Sequence, residues 1–186
     1  KFDFLNPKTG VKISKNGWQS YLSYAVANKE PNRDDFEAST VNQPKKETLH
    51  DIEAGVEKRT ATFFGGATLY YMFYKDQLVL TGMLNDVGAY TRVNVPNSYR
   101  LGLELQGAYV FSNWLNASGN LTLSRNKIKS FTEYLDDYDA NFDWKGQHAI
   151  VHENTDISFS PSVVGAVTIS ILPVKNLEIN LLSKYV

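Results

Sequence analysis

The chain has 186 residues, a net charge of -1, no cysteine and 42% hydrophobic content, with a mean hydropathy of -0.32. That balance leaves no cationic stripe to follow a nucleic-acid backbone, and the missing thiols exclude disulfides, thiolate metal sites and cysteine nucleophiles. The longest apolar stretch, Val163 to Val174, is broken by Thr168, Ser170 and Pro173 and falls well short of the roughly 18 residues a spanning helix needs.

A period of two runs through nearly the whole chain and predicts about eight antiparallel strands. The first extends from about Phe4 to Ser14 and reverses at Asn16-Gly17, a strong hairpin signal. Trp18 to Ala27 follows, then a polar connection over about 28–46. From Thr48 to Arg59, Ile52, Ala54 and Val56 alternate with Asp51, Glu53, Gly55 and Glu57. From Thr62 to about Leu78, Phe63, Ala67, Leu69, Tyr71 and Phe73 oppose Thr68, Tyr70, Met72 and Tyr74. Gly65-Gly66 reads as relief of crowding in a curved strand, since no Lys-Ser/Thr follows to make a phosphate loop.

After a second connection over about 80–96 comes the most regular segment. Tyr99, Leu101, Leu103, Leu105, Gly107, Tyr109 and Phe111 alternate with Ser98, Arg100, Gly102, Glu104, Gln106, Ala108 and Val110. Strands of soluble domains are usually about 5–6 residues long, whereas a tilted membrane-crossing strand needs about 9–11. A reversal at Ser112-Asn113 leads into Leu115 to Phe131, and an acidic, aromatic connection follows over about 132–155. Ile157 to Ile171 alternates again, Lys175-Asn176 turns, and a last strand is in progress at Val186. An unfinished strand predicts that the sheet continues in a larger protein.

The connections alternate short and long, which in a meander collects the tight turns at one end and the long loops at the other. Outer-membrane barrels segregate their connections in this way. The expected fold is therefore all-β, an antiparallel up-and-down meander forming part of a transmembrane β-barrel, with residues 1–186 as one partial barrel domain. A 13% aromatic share dominated by Tyr and Phe suits the boundary between hydrocarbon and water. The apolar face then meets outer-membrane lipid, and the polar face borders the lumen.

Several stretches also resemble a known family. They are Asn6-Pro7-Lys8-Thr9-Gly10, Tyr21-Leu22-Ser23-Tyr24-Ala25 running into Asn28-Lys29-Glu30-Pro31-Asn32-Arg33, Pro44 with Glu47, and Glu53-Ala54-Gly55. Tyr74-Lys75-Asp76-Gln77-Leu78 and Gly102-Leu103-Glu104 complete the set. In this succession the chain resembles the barrel of TonB-dependent outer-membrane receptors of Gram-negative bacteria, and specifically its carboxy-terminal half. The resemblance implies a barrel of about twenty-two strands around an amino-terminal plug. It also implies energy supplied through TonB, and a scarce nutrient as cargo: a ferric siderophore, haem, cobalamin or a glycan. No plug and no TonB-contacting segment is visible in the sequence, so transport is expected of the parent and not of this stretch.

Arg100, Glu104 and Gln106 project from one strand face, with Glu53 and Asn120 expected on neighbouring strands. With Tyr70 and Tyr74 they are candidates for contact with plug or cargo, through a hydrogen-bonded ladder. Tyr134, Tyr138, Phe142 and Trp144 are candidates to stack on a ring-bearing cargo, with Tyr138 and Trp144 foremost. Asp137, Asp139, Asn141 and Asp143 have the spacing of calcium-loop oxygens, but Phe142 replaces the required glycine and His148 the terminal Glu, so a solvated acidic loop is the expectation. His148 and His152 would share a helix face as zinc pairs do, without a further ligand; no metal, no cofactor and no catalytic constellation is expected. The competing reading is a self-contained soluble β-barrel or sandwich that binds an apolar ligand or a partner protein, with Leu101, Leu103 and Leu105 filling its centre.

Overall fold

In the computed structural model, which describes residues 3–37, 43–84, 88 and 90–186, nine strands and a short helix follow one another. They are β1 (Lys8–Lys15), β2 (Trp18–Lys29), α1 (Arg33–Glu37), β3 (Glu47–Arg59), β4 (Phe63–Leu84), β5 (Tyr90–Ser112), β6 (Leu115–Tyr138), β7 (Trp144–Asp156), β8 (Val163–Val174) and β9 (Leu177–Tyr185). All pairings are antiparallel, in the order β1-β2-β3-β4-β5-β6-β8-β9, and β7 pairs with β6. The sheet is open, with β1 and β9 at its edges.

β6 is shared along its length: Leu115 to Leu123 pairs with β8, and Lys127 to Tyr138 pairs with β7. β7 and β8 thus occupy one position beside β6, which reconciles nine segments with the eight expected strands. Residues 157–162 between them leave the ladder, so the predicted continuous strand from Ile157 to Ile171 is corrected to one starting at Val163. Pro161 has no N–H to offer the ladder, Phe159 adopts a left-handed φ of 57°, and Ile157 turns into a small core with Val95 and Ile128. β1 likewise begins at Lys8 and not at Phe4, because Pro7 cannot donate; its carbonyl still accepts the Val26 N–H at 2.9 Å.

The turns follow local chemistry. Asn16 and Gly17 take φ values of 52° and 76°, the left-handed pair that a two-residue hairpin matched to strand twist requires. The β5–β6 reversal falls at Asn113-Trp114, one residue beyond the expected Ser112-Asn113, after an irregular register between Val110 and Ser112. Lys175-Asn176 closes β8 onto β9.

The long connections are more ordered than their composition suggested. Within 28–46, α1 follows the end of β2, and residues 38–42 lie outside the described residues. Most of 80–96 and 132–155 is strand, because β4 and β5 run on to Leu84 and Tyr90, and β6 and β7 meet only at 139–143. Only the bases of these extensions bury apolar side chains, among them Leu78, Val95 and Ile128, and farther out no buried apolar face enforces alternation, so the usual sequence signature is missing. β4, β5 and β6 contain 22, 23 and 24 residues, roughly twice what a tilted crossing needs.

Register places like residues side by side. Ile52, Tyr71 and Leu101 form one outward row, Ala54, Leu69, Leu103 and Leu123 a second, and Val56, Ala67, Leu105 and Leu121 a third. Leu101 and Leu105 are 39% and 38% exposed, so they line an open face and do not fill the centre of a soluble barrel. Val79 and Phe131 pack around the core of Val95, Ile128 and Ile157, where the long ribbons leave the wall.

Candidate functional site

The second face of the sheet is polar. Glu53 stands opposite Ser23 and Tyr70, and Tyr70 opposite Gly102. Glu104 lies between Thr68 and Thr122, and Gln106 between Gly66 and Asn120. Arg100 lies between Met72 and Asn126, one row from the Tyr74–Ser98 pair. Glu53, Tyr70, Tyr74, Arg100, Glu104, Gln106 and Asn120 therefore share one face across β3 to β6, as alternation requires.

Among the described residues no ladder joins all seven, although Arg100 reaches the Tyr74 hydroxyl. Arg100 Nη1 donates to Ser160 Oγ at 2.8 Å, on the segment that leaves the ladder. Asn126 Nδ2 donates to the Ser160 carbonyl at 3.4 Å and Ser124 Oγ to the Pro161 carbonyl at 3.0 Å. Residues 157–162 are thus held over the polar face. Tyrosine rings fill the gaps between strands: Tyr70 lies over Gly102 and Tyr21 over Gly55, where any Cβ would run into the ring. Tyr21 Oη also contacts Thr68 Oγ1 at 3.3 Å.

Two residues not singled out from the sequence join this face. Asp51 sits opposite Ala25 and Met72, and Glu57 opposite Gln19 and Gly66. Their signal was the β3 alternation itself, which places them beside Glu53. Among the described residues none of Asp51, Glu53, Glu57 and Glu104 enters an ion pair, and Asp51 Oδ1 is enclosed with no hydrogen-bond partner. Carboxylates about 7 Å apart along one face repel by roughly 0.6 kcal/mol in water and by more once water is displaced. Lys8, Lys12 and Arg100 share this face, so an occupant pressed against it meets charges of both signs.

At the other end of the long strands, the three connections are tied to one another. Tyr138 pairs directly with Trp144 across the β6–β7 ribbon. Asp136 Oδ1 accepts Trp144 Nε1 at 3.1 Å and Gln147 Nε2 at 3.0 Å, and Asp136 Oδ2 accepts the Tyr90 hydroxyl at 3.4 Å. Gln147 also donates to the Gly82 carbonyl at 2.8 Å and accepts the Leu84 N–H at 3.1 Å, which stitches the β4–β5 ribbon to the β6–β7 ribbon. From the first connection, Asp35 receives Arg92 Nε at 2.8 Å and Nη2 at 2.6 Å, together with the Asn32 N–H at 2.7 Å. Asn94 brackets Lys45 through both its backbone groups, at 2.7 and 3.0 Å.

The acidic turn has a structural use. Asp139 Oδ1 accepts the N–H groups of Asn141 and Asp143 at 2.9 and 3.0 Å, and Oδ2 pairs with Lys145 at 2.9 Å. Lys145 first, then those two backbone donors, hold the Asp139 carboxyl below its ordinary pKa. The turn presents Phe142, at a φ of 64°, to solvent. His148 and His152 lie in strand β7 and not on a helix, so their Cα atoms are separated by about 13 Å of extended chain. Each faces a carboxylate across the ribbon, His148 with Asp137 and His152 with Glu133, both at 2.8 Å.

A strand meander with an open apolar face, a polar face opposite and all tight turns at one end defines a section of an outer-membrane type of β-barrel wall. The family model described as TonB dependent receptor-like, beta-barrel, matches residues 1–166. The chain belongs to that family, whose members are outer-membrane β-barrels of Gram-negative bacteria acting in transport. No curated protein matches the sequence. Among solved structures, the ferric-catecholate import receptor Fiu from K12 E. coli superposes with a TM-score of 0.64 at 15% identity, over 96% of this chain and 24% of Fiu. The FrpB iron transporter from Neisseria meningitidis gives 0.57 at 16% identity, over 95% of this chain and 34% of its own. A variant of the ferric enterobactin receptor PfeA from Pseudomonas aeruginosa gives 0.53 at 16% identity, over 94% and 34%. The chain thus spans about a quarter to a third of these proteins, and the likeness is one of fold.

Proposed function

We propose that this chain supplies a wall segment of an outer-membrane importer that takes up a scarce nutrient with energy delivered through TonB. Among the cargo classes the family resemblance implies, ferric siderophores take first place, because iron and ferric-siderophore transporters recur among the proteins of similar fold. The plug of the parent packs against the polar face, where Glu53, Tyr70, Tyr74, Arg100, Glu104, Gln106 and Asn120 meet it together with Asp51 and Glu57. Cargo is met farther out, by the tied ribbons that carry Tyr138 and Trp144. The observation that carries this reading is the division of the sheet into a lipid-ready apolar face and a polar one on which Asp51, Glu53, Glu57 and Glu104 stand among Lys8, Lys12 and Arg100: charges of both signs, with Asp51 Oδ1 enclosed and without a hydrogen-bond partner, call for a polar protein surface inside the barrel. The test is uptake by cells that lack the full-length parent gene. Loss of energised uptake of one labelled ferric siderophore, restored by the intact gene and not by a form lacking its TonB-contacting segment, is the expected result. Unchanged uptake of ferric siderophores, haem, cobalamin and glycans in the deletion strain would overturn it.

A further inference from the structure

The outward face carries a second pattern near the end that bears the long connections. His50, Phe73, Tyr99 and Lys127 are successive cross-strand neighbours, and the row below them is Ile52, Tyr71, Leu101 and Arg125. One step farther out, Lys75 stands between Thr48 and Asn97, and Lys129 is the next outward position on β6. The apolar field therefore passes through an aromatic row, with Tyr71 and Tyr99 centroids 6.2 Å apart, into a row of cations. Lys75, Arg125 and Lys129 are exposed and enter no ion pair or hydrogen bond among the described residues. Asp156 is matched by Lys127 at 2.7 Å, so at this end of the face Lys75, Arg125 and Lys129 have no partner among the described residues. At the turn end the arrangement differs, since Lys58 donates to the Asn16 carbonyl at 2.6 Å and lies over the Trp18 ring.

We infer that Lys75, Arg125 and Lys129, with Tyr71, Phe73 and Tyr99 beneath them, form a docking surface for the phosphate-bearing headgroup of a membrane lipid in the leaflet beside the long connections. The inference rests on the reading of the apolar face as lipid-facing. Position and charge select this occupant. The aromatic row marks the depth at which hydrocarbon gives way to headgroups, and long cationic stems reach from that depth toward the charged layer. A zwitterionic headgroup leaves the excess charge unmatched, and a free phosphate ion gains nothing from the rings below. The three cations span β4 to β6, so one headgroup or two adjacent ones bridge three strands of the wall.

Native mass spectrometry of the full-length receptor in neutral detergent tests this, with phosphatidylglycerol and phosphatidylcholine as competing probes. A double variant Arg125→Gln/Lys129→Gln is compared with a charge-matched control at the turn end, Lys15→Gln/Lys175→Gln. Each cation near an anionic headgroup contributes about 5-fold to binding, so the first variant should lose about 25-fold in phosphatidylglycerol retention and the control should keep the wild-type level. High salt should weaken wild-type retention. Equal losses in both variants would reduce the effect to net charge and overturn the proposal, as would wild-type retention in Arg125→Gln/Lys129→Gln or equal binding of the two lipids. Heat-modifiable gel mobility and insertion into phosphatidylcholine vesicles are measured alongside. Failure there speaks against the lipid-facing assignment itself, whereas normal insertion with unselective lipid binding speaks against the headgroup site alone.

Discussion

An arginine scanned along β5 reads the membrane position of the sheet directly. The outward residues from Tyr99 to Phe111 cover twelve residue steps, or about 41 Å of strand at about 3.4 Å per residue. At a tilt of about 40° this projects to about 31 Å along the membrane normal, enough for the roughly 25 Å apolar band with an aromatic residue beyond each edge. Leu105 lies at the midpoint, between Ala67 and Leu121. Leu105→Arg should therefore destabilise the full-length barrel by about 2–4 kcal/mol, and Tyr99→Arg or Phe111→Arg by about 0–1 kcal/mol. Glu104→Arg, one residue from the midpoint on the polar face, should cost less than about 1 kcal/mol, because its side chain stays in the wet interior. Equilibrium unfolding in denaturant from lipid vesicles, followed by tryptophan fluorescence, measures all four. A flat profile along β5, or a Glu104→Arg cost equal to that of Leu105→Arg, would refute the assignment of faces.

The tyrosine-over-glycine contacts give a second expectation: Gly102→Ala should destabilise by about 1–3 kcal/mol through overpacking against Tyr70, while Gly107→Ala, which meets little, should be neutral to slightly stabilising. In the Tyr70→Ala background the Gly102→Ala cost should vanish, and a double-mutant cycle in the same unfolding assay checks this. The acidic turn predicts a pH response. Because the folded pKa of Asp139 lies below its ordinary value, its contribution is complete above the ordinary carboxylate range and is lost as pH falls through the lowered value. Amide exchange at Asn141 and Asp143 should therefore show equal opening protection at pH 7 and 5, after correction for intrinsic rates, and lose it only in stronger acid. Asp139→Asn should weaken that protection already at neutral pH.

How much of this architecture was visible beforehand depended on where the chain is constrained from two sides. Between Tyr99 and Phe111 one face is apolar and the other polar, so every second residue reports its side and the strand, its faces and its partners could be read directly. The same alternation put Glu53, Glu104, Gln106 and Asn120 on one side, although it could not tell that Arg100 would reach Ser160 in place of Glu104. Beyond the small core of Val95, Ile128 and Ile157 the β6–β7 ribbon has no buried apolar position, and the period disappears from Thr132 to Thr155. Cross-strand pairs such as Tyr134 with Ala149 carry no such mark, and acidic composition there read as loop. The departure of residues 157–162 was hidden for the opposite reason: Ile157, Phe159 and Val163 keep a period of two by residue type, while Pro161 and the left-handed Phe159 break the ladder that the period implies.

The clasp between Asp35 and Arg92 joins a five-residue helix in the first connection to the outer part of the β4–β5 ribbon. Two connections that are distant in sequence therefore cannot shift independently: a load applied to one is transmitted as tension to the other. A molecule settling on the outer rim would thus meet a hinged plate in place of separate tendrils, and would forfeit little disorder in being held.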